Sequence, residues 1–165
     1  MSHLHLVLLA ADHELSGFDC GIDELNRWLT DHALASQTAD LARTYLALTD
    51  TAVAGYFSLT TGSVRRESAP RRYARGMPRH PIPTILIARL AVDRRHQGRH
   101  LGGRLLAEAL RLAVAAGDNA AARLVVVDAI DDQAAAFYHH YGFIDVPENP
   151  RRLFRKISDI RRALE

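Results

Sequence analysis

The residues best suited to chemistry lie between Arg94 and Gly103. There Arg94-Arg95-His96-Gln97-Gly98-Arg99-His100-Leu101-Gly102-Gly103 mixes glycines with cations. The preceding Ile85, Leu86, Ile87, Leu90 and Val92 favour extended backbone and are apolar toward both faces, as a buried central strand requires. From Leu101 the apolar positions Leu101, Leu105, Leu106, Ala109, Leu110 and Ala113 recur at helical spacing. A strand, a glycine-bearing loop and a helix therefore follow one another. Free N–H groups at a helix N-terminus, flanked by arginines, suit a phosphate or pyrophosphate. The glycines let that backbone approach the anion closely. No Gly-Lys-Ser/Thr ends the loop and no acidic residue closes a dinucleotide fingerprint, so it is neither a Walker nor a Rossmann loop. On these residues alone, an ordinary strand–loop–helix connection stays open.

The elements around this stretch belong to one domain, residues 1–165, with enough apolar content for a core. A single cysteine, Cys20, excludes an internal disulfide and fits a reducing compartment. The apolar run Leu4 to Ala11 is too short for a membrane span and lacks a basic flank. No signal peptide or membrane partner is therefore expected, and the location is cytoplasmic. A net charge of +2 conceals segregation: Arg65 to Arg99 carries ten arginines against Glu67 and Asp93. Residues 11–50 hold eight acids against Arg27 and Arg43. Such a cationic band suggests a polyanionic partner, although solvated surface in an arginine-biased composition gives the same count.

In chain order, Leu4 to Leu8 reads as a strand. Ile22, Leu25, Trp28, Leu29 and His32 share one helical face, with Asp23 and Glu24 in the first turn where the dipole favours acids. Trp28 reads as a core anchor and Cys20 as a small buried apolar residue. Thr44 to Thr49 and Val53 to Thr60 form a hairpin through Asp50-Thr51. Residues 62–83 hold four prolines and form a long connection, with a short helix at Pro70 to Arg75. The helix after the central strand covers about 100–116 and breaks at Gly117-Asp118-Asn119. Arg123 to Ala129 is a second buried strand. Asp131 or Asp132 caps a helix through His139 that ends at Gly142, and Phe143 to Val146 pairs with Arg152 to Ile157. The order is that of an α/β sandwich around a mixed sheet.

Two motifs carry a resemblance. Arg89-Leu90-Ala91-Val92-Asp93, Gln97-Gly98 and Leu101-Gly102 resemble the acyl-CoA loop of the GNAT superfamily of acetyltransferases. Ala135-Ala136-Phe137-Tyr138-His139-His140-Tyr141-Gly142-Phe143 is similar to that family's late helix–turn. A narrower likeness runs through Phe18-x-Cys20-Gly21, Leu25, Trp28-Leu29, Arg43-Thr44, Tyr56-Phe57-Ser58-Leu59 and Pro81-Ile82-Pro83, and resembles the GNAT toxins of toxin–antitoxin operons. One departure is Gly98-Arg99-His100, where the family has Gly-x-Gly or Gly-x-Ala. His100 keeps its N–H and tolerates positive φ, but its ring can crowd the pyrophosphate or contact it.

The resemblance implies a GNAT fold: a mixed central sheet flanked by helices, with acetyl-CoA in a splay between two central parallel strands. Leu90, Ala91 and Val92 would pair with the pantetheine arm. Arg95, Gln97, Gly98, Arg99, His100, Leu101, Gly102 and Gly103 would face the phosphates, and Phe137 would flank the cofactor. Tyr138 matches the family's proton donor, and no metal is called for. A phenol near pKa ~10 can protonate a thiolate whose conjugate acid lies near ~8.5. The implied acceptor is the α-amine of aminoacyl-tRNA, which titrates near ~7.7–8.0 and is already partly neutral in the cell. Arg43, Arg65, Arg66, Arg71, Arg72, Arg75, Arg79 and Arg89 would then hold tRNA phosphates. A ribbon-helix-helix antitoxin is the implied partner, and a homodimer is allowed. Acetylation of a small amine or protein N-terminus, or a non-catalytic interaction role, remains the alternative.

Overall fold

The computed structural model describes residues 4–165. The chain runs β1 (His5–Leu8), α1 (Asp23–Asp31), α2 (Ala33–Thr38), β2 (Arg43–Leu48), β3 (Val53–Val64), α3 (Arg71–Ala74) and β4 (Ile82–Val92). It continues with α4 (Leu101–Ala120), β5 (Leu124–Asp128), α5 (Asp132–His140), β6 (Ile144–Val146), β7 (Asn149–Lys156) and α6 (Ile157–Leu164). The strands form one mixed seven-stranded sheet in the order β1-β2-β3-β4-β5-β7-β6. β4 and β5 are the expected parallel pair, registered from Thr84↔Leu124 to Ile87↔Val127, and β4 continues past that register to Val92. Among the described residues, no helix is long and apolar enough to cross a membrane.

The chain divides into two compact units. The first comprises Met1–Thr60 and Ala88–Ala109. Its core is Leu9, Phe18, Leu29, Ala33, Leu46, Val53, Tyr56 and Ala91, with Ile22, Leu25 and Trp28 of the predicted α1 face packed on it. β2 and β3 share a buried hydrogen bond between Thr44 Oγ1 and Ser58 Oγ at 2.8 Å, at the register pair Thr44↔Ser58. The second unit comprises Thr61–Ile87 and Leu110–Glu165, around Val64, Tyr73, Ile82, Leu124, Val126 and Phe154.

Four expectations are corrected. α4 does not break at Gly117-Asp118-Asn119 but runs to Ala120. Ile157 packs 3.4 Å from where a Gly117 Cβ would sit, and Arg161 pairs with Asp118 at 2.7 Å. These tertiary contacts offset the roughly 1 kcal/mol helix penalty of a glycine. The turn comes at Ala121, with φ +71°. The connection predicted over 62–83 is shorter, because β3 extends to Val64 and β4 begins at Ile82. Strand does not extend through Ile157. The chain turns there into α6, which buries Ile157 and Ile160 at helical spacing. A second short helix, α2, follows α1 with its N-terminal Ala33 buried. Of the two candidate caps of α5, Asp131 holds the position, accepting from the Ala134 N–H at 2.8 Å.

Gly55 in β3 marks a close approach, since a Cβ there would lie 2.6 Å from Leu105 Cδ1 and 2.9 Å from Ala91 O. Gly55→Ala is expected to cost about 1–3 kcal/mol through overpacking. The loss is read as a lowered urea midpoint with an unchanged m-value.

Candidate active site

β4 runs directly into a carboxylate. Asp93 is 1% exposed, and its N–H donates to Ala54 O at 2.8 Å. Its Oδ1 accepts from the Arg95 N–H and from Arg95 Nε, both at 2.9 Å. Its Oδ2 accepts from the Asp19 N–H at 3.1 Å and from Arg95 Nη2 at 3.2 Å. Burial alone would raise this carboxyl's pKa. The bonds from Arg95 and Asp19 outweigh burial and hold the group down to about 2.

The turn before α1 completes the clamp. Asp19 O accepts from the Arg94 N–H at 2.8 Å, and the Asp19 carboxylate accepts from the Gly21 N–H and from Asn26 Nδ2. Gly21 has φ +90°, and a Cβ on it would lie 3.0 Å from Arg94 Nε. Gln97 Nε2 donates to Cys20 O at 2.9 Å and to Val92 O at 2.8 Å. The Phe18–Gly21 segment is therefore a strut for the loop that leaves β4. Cys20 itself is buried, with its thiol pushed up by that burial, so it is no nucleophile.

Beyond the clamp the backbone opens. Gly98 has φ +78° and His100 φ +61°, so the non-glycine residue does occupy the left-handed region, as the departure from Gly-x-Gly requires. α4 then begins at Leu101. Among the described residues, no well-formed hydrogen bond engages the N–H groups of Gly98, Arg99, His100, Leu101, Gly102 or Gly103. Those donors, at the start of a 20-residue helix, fit a pyrophosphate. Two residues predicted to face it have their side chains committed elsewhere: Arg95 to Asp93, and Gln97 to the Cys20 and Val92 carbonyls.

In the second unit, Tyr138 sits on α5 and is 6% exposed. Its ring meets Phe137 at 5.2 Å and Phe143 at 5.5 Å, both edge-on. Its carbonyl accepts from the Tyr141 and Phe143 N–H groups, and Gly142, with φ +89°, makes that turn. Its hydroxyl has no hydrogen-bond partner among the described residues, and burial pushes the phenol well above its ordinary pKa. The group holds its proton throughout the neutral range. His139 pairs instead with Asp145, at 3.2 Å.

The predicted cationic set divides by partner. Arg65, Arg66, Arg71, Arg72, Arg75 and Arg79 all lie in the second unit, and Arg43 and Arg89 in the first. Arg43 is held by Asp40 at 2.7 Å and by Gln37 O, and Arg72 lies against Tyr73. Arg65 stands 3.9 Å from Glu67. The side chains of Arg66, Arg71, Arg75 and Arg79 have no partner among the described residues. Arg89 is half-buried, with its guanidinium 4.0 Å above the Trp28 ring. Sequence reasoning missed both this stack and the Asp19–Asp93 clamp. The one available signal for the clamp was an acid placed directly after an apolar strand.

The sequence pattern of the acetyltransferase (GNAT) family matches residues 8–143. The chain is 38% identical over 148 residues to the tRNA-acetylating toxin of Mycobacterium tuberculosis, covering 90% of this chain and 89% of that protein. The solved structure of AtaT complexed with acetyl-methionyl-tRNAfMet is similar at a TM-score of 0.91 and 30% identity, covering 99% of this chain and 100% of that one. A tyrosine-to-phenylalanine mutant of AtaT, bound to the C-terminus of the antitoxin AtaR and to acetyl-CoA, is similar at a TM-score of 0.84 and 29% identity over 98% of each chain.

The clamp makes a pH-dependent contribution to stability. A carboxyl held below its ordinary pKa stabilises the fold above about pH 4, and that support is lost as the pH falls through about 2. Asp93→Asn is expected to cost about 1–3 kcal/mol at neutral pH. Its deficit relative to the unsubstituted protein should shrink on acidification, as followed by circular dichroism melts between pH 7 and pH 2.

Proposed function

Since the chain belongs to the GNAT acetyltransferase family, we propose that it transfers the acetyl group of acetyl-CoA to the α-amine of aminoacyl-tRNA. It would thereby act in the cytoplasm as a translation-blocking toxin restrained by an antitoxin. The observation that carries the cofactor side is the run of uncommitted N–H donors from Gly98 to Gly103 at the start of α4. The likeness to a tRNA-acetylating toxin and to AtaT with its tRNA supports the acceptor. A ribbon-helix-helix antitoxin and a homodimer complete the reading.

Acetyl-CoA supplies an activated thioester when bound. The N–H groups of Gly98–Gly103 would take its pyrophosphate, with Arg99 adding charge at the rim. The main chain of Leu90, Ala91 and Val92, on the part of β4 beyond its register with β5, would pair with the amides of the pantetheine arm. Phe137 would wall the cofactor. Arg95 and Gln97 act from behind the loop, through Asp93, Cys20 and Val92, to hold its main chain in place.

As the amine nitrogen bonds to the acetyl carbon and the C–S bond breaks, Tyr138 Oη would give its proton to the departing sulfur, and the proton shed by the new amide nitrogen would restore the phenol through solvent. A raised phenol pKa makes that transfer less favourable against a thiolate in water. A thiolate in the same apolar surroundings is raised by the same desolvation, so the difference between the two groups sets the driving force. The chain needs no strong base, because an α-amine beside an ester is largely neutral near pH 8. Arg66, Arg71, Arg75 and Arg79, without partners among the described residues, would meet RNA phosphates together with Arg65 and Arg72. Arg43 would contribute only at the cost of its bond to Asp40.

The test is incubation with labelled acetyl-CoA and charged total tRNA, with uncharged tRNA as control. Label is expected only on charged tRNA, and Tyr138→Phe should lower kcat about 10²–10⁴-fold. Equal labelling of free small amines would overturn the acceptor assignment. The raised phenol predicts a kcat/KM profile that climbs with pH as the amine deprotonates and shows no alkaline fall up to pH 10. Arg71→Ala with Arg75→Ala should weaken tRNA binding and reduce the slope of log affinity against log salt by about 1–2.

A further inference from the structure

Since Tyr138 Oη has no hydrogen-bond partner among the described residues, its place is set by the Phe137 and Phe143 rings and by the helix that carries it. α5 has nine residues. A helix so short takes its stability and its direction from what holds its ends. The far end is fixed by the Gly142 turn and by His139, which pairs with Asp145 at 3.2 Å. The near end begins at the turn that follows Asp128, and the anchor of that turn lies on β7.

Two consecutive β7 residues hold four positions there. The β5–β7 ladder ends at Asp128↔Arg152. At that pair the Arg152 guanidinium is bidentate on the Asp128 carboxylate, Nε on Oδ1 and Nη2 on Oδ2, both at 2.7 Å. One step on, the Ala129 N–H donates to Arg151 O at 2.7 Å. Past the ladder the Arg151 side chain takes over. Its Nη1 donates to Ile130 O at 3.1 Å, and its Nε donates to Asp132 Oδ1 at 3.0 Å. Asp131, between those two contacts, is the residue that caps α5.

Stability does not account for this density of bonds. The Asp132 side chain is 96% exposed, and exposed ion pairs add little to a fold. Arg151 also brings a cation to a helix N-terminus, where the dipole opposes it. What the bonds fix is direction: Arg151 holds one carbonyl just before the cap and one carboxylate in the first turn. Tyr138 lies six residues past Asp132, about 9 Å along the helix axis, so a tilt at the turn is carried to its ring. We propose that Arg151, seated by the Arg152–Asp128 pair, is a positioning residue for acetyl transfer, which sets the axis of α5 and through it the place of Tyr138 Oη. The inference rests on the reading of Tyr138 as proton donor and deepens it.

The full-length protein is assayed with labelled acetyl-CoA and charged tRNA, or with whichever amine takes the label in the assay above. Arg151→Ala is expected to lower kcat about 10–10²-fold. The acceptor's KM should stay within about twofold, and the thermal midpoint should fall by no more than about 4 °C. In Tyr138→Phe the hydroxyl is already gone, so adding Arg151→Ala should slow the residual rate less than about twofold. A loss of general stability would instead slow both backgrounds alike. Arg151→Lys keeps the charge but has one nitrogen for two acceptors. It should show the same pattern more weakly, and it stands in for Arg151→Ala if that variant does not fold. An unchanged kcat, or a loss as large in the Tyr138→Phe background as without it, overturns the positioning role while Tyr138 keeps its own. Full activity of Tyr138→Phe alone overturns the reading beneath it.

Discussion

Asp93 is the constraint on which the rest of the first unit depends. A carboxylate almost wholly removed from water persists because the main-chain N–H of distant Asp19 and both the main chain and guanidinium of nearby Arg95 converge on it. Remove that convergence and the end of β4, the turn before α1 and the loop into α4 lose their common anchor. The glycines downstream are useful only because something upstream is fixed. A loop with φ > 0 at two positions would otherwise sample many shapes, and its N–H groups would not point together.

Much of this could be read in the sequence, for a definite reason. The stretch from Ile85 to Leu110 satisfies strand, turn and helix rules locally, so its elements need no tertiary rescue. The same holds for the Asp131 cap and the Gly142 turn. Expectations failed where distant contacts outvoted local preference. Gly117-Asp118-Asn119 reads as a break because nothing nearby in sequence predicts Ile157 and Arg161 packing against it. α6 was hidden because Arg152 to Ile157 continues a strand pattern, and an eight-residue helix contributes only two buried positions.

At the site, the legible part was main chain and the illegible part was side-chain direction. The uncommitted N–H groups of Gly98–Gly103 could be anticipated from backbone chemistry alone. That Gln97 turns back to the Cys20 and Val92 carbonyls follows from the fold of the Phe18–Gly21 turn, with Cys20 lying 77 positions upstream of Gln97. Arginine counting has the same weakness. Arg43, Arg72, Arg79 and Arg89 are equal in the sequence, yet one is tied to a carboxylate, one lies on a phenol, one is free and one is stacked on an indole. Electrostatic inference from composition needs each cation's partner before it becomes an inference about ligands.

The two units draw on the chain unequally along its length. The unit holding the Gly98–Gly103 loop draws on no residue past Ala109, whereas the other includes the segment from Leu110 onward. A chain arrested before residue 138 lacks the hydroxyl proposed as proton donor whatever the state of the loop, so on that proposal a nascent copy is unarmed until the second unit's last segment is being made.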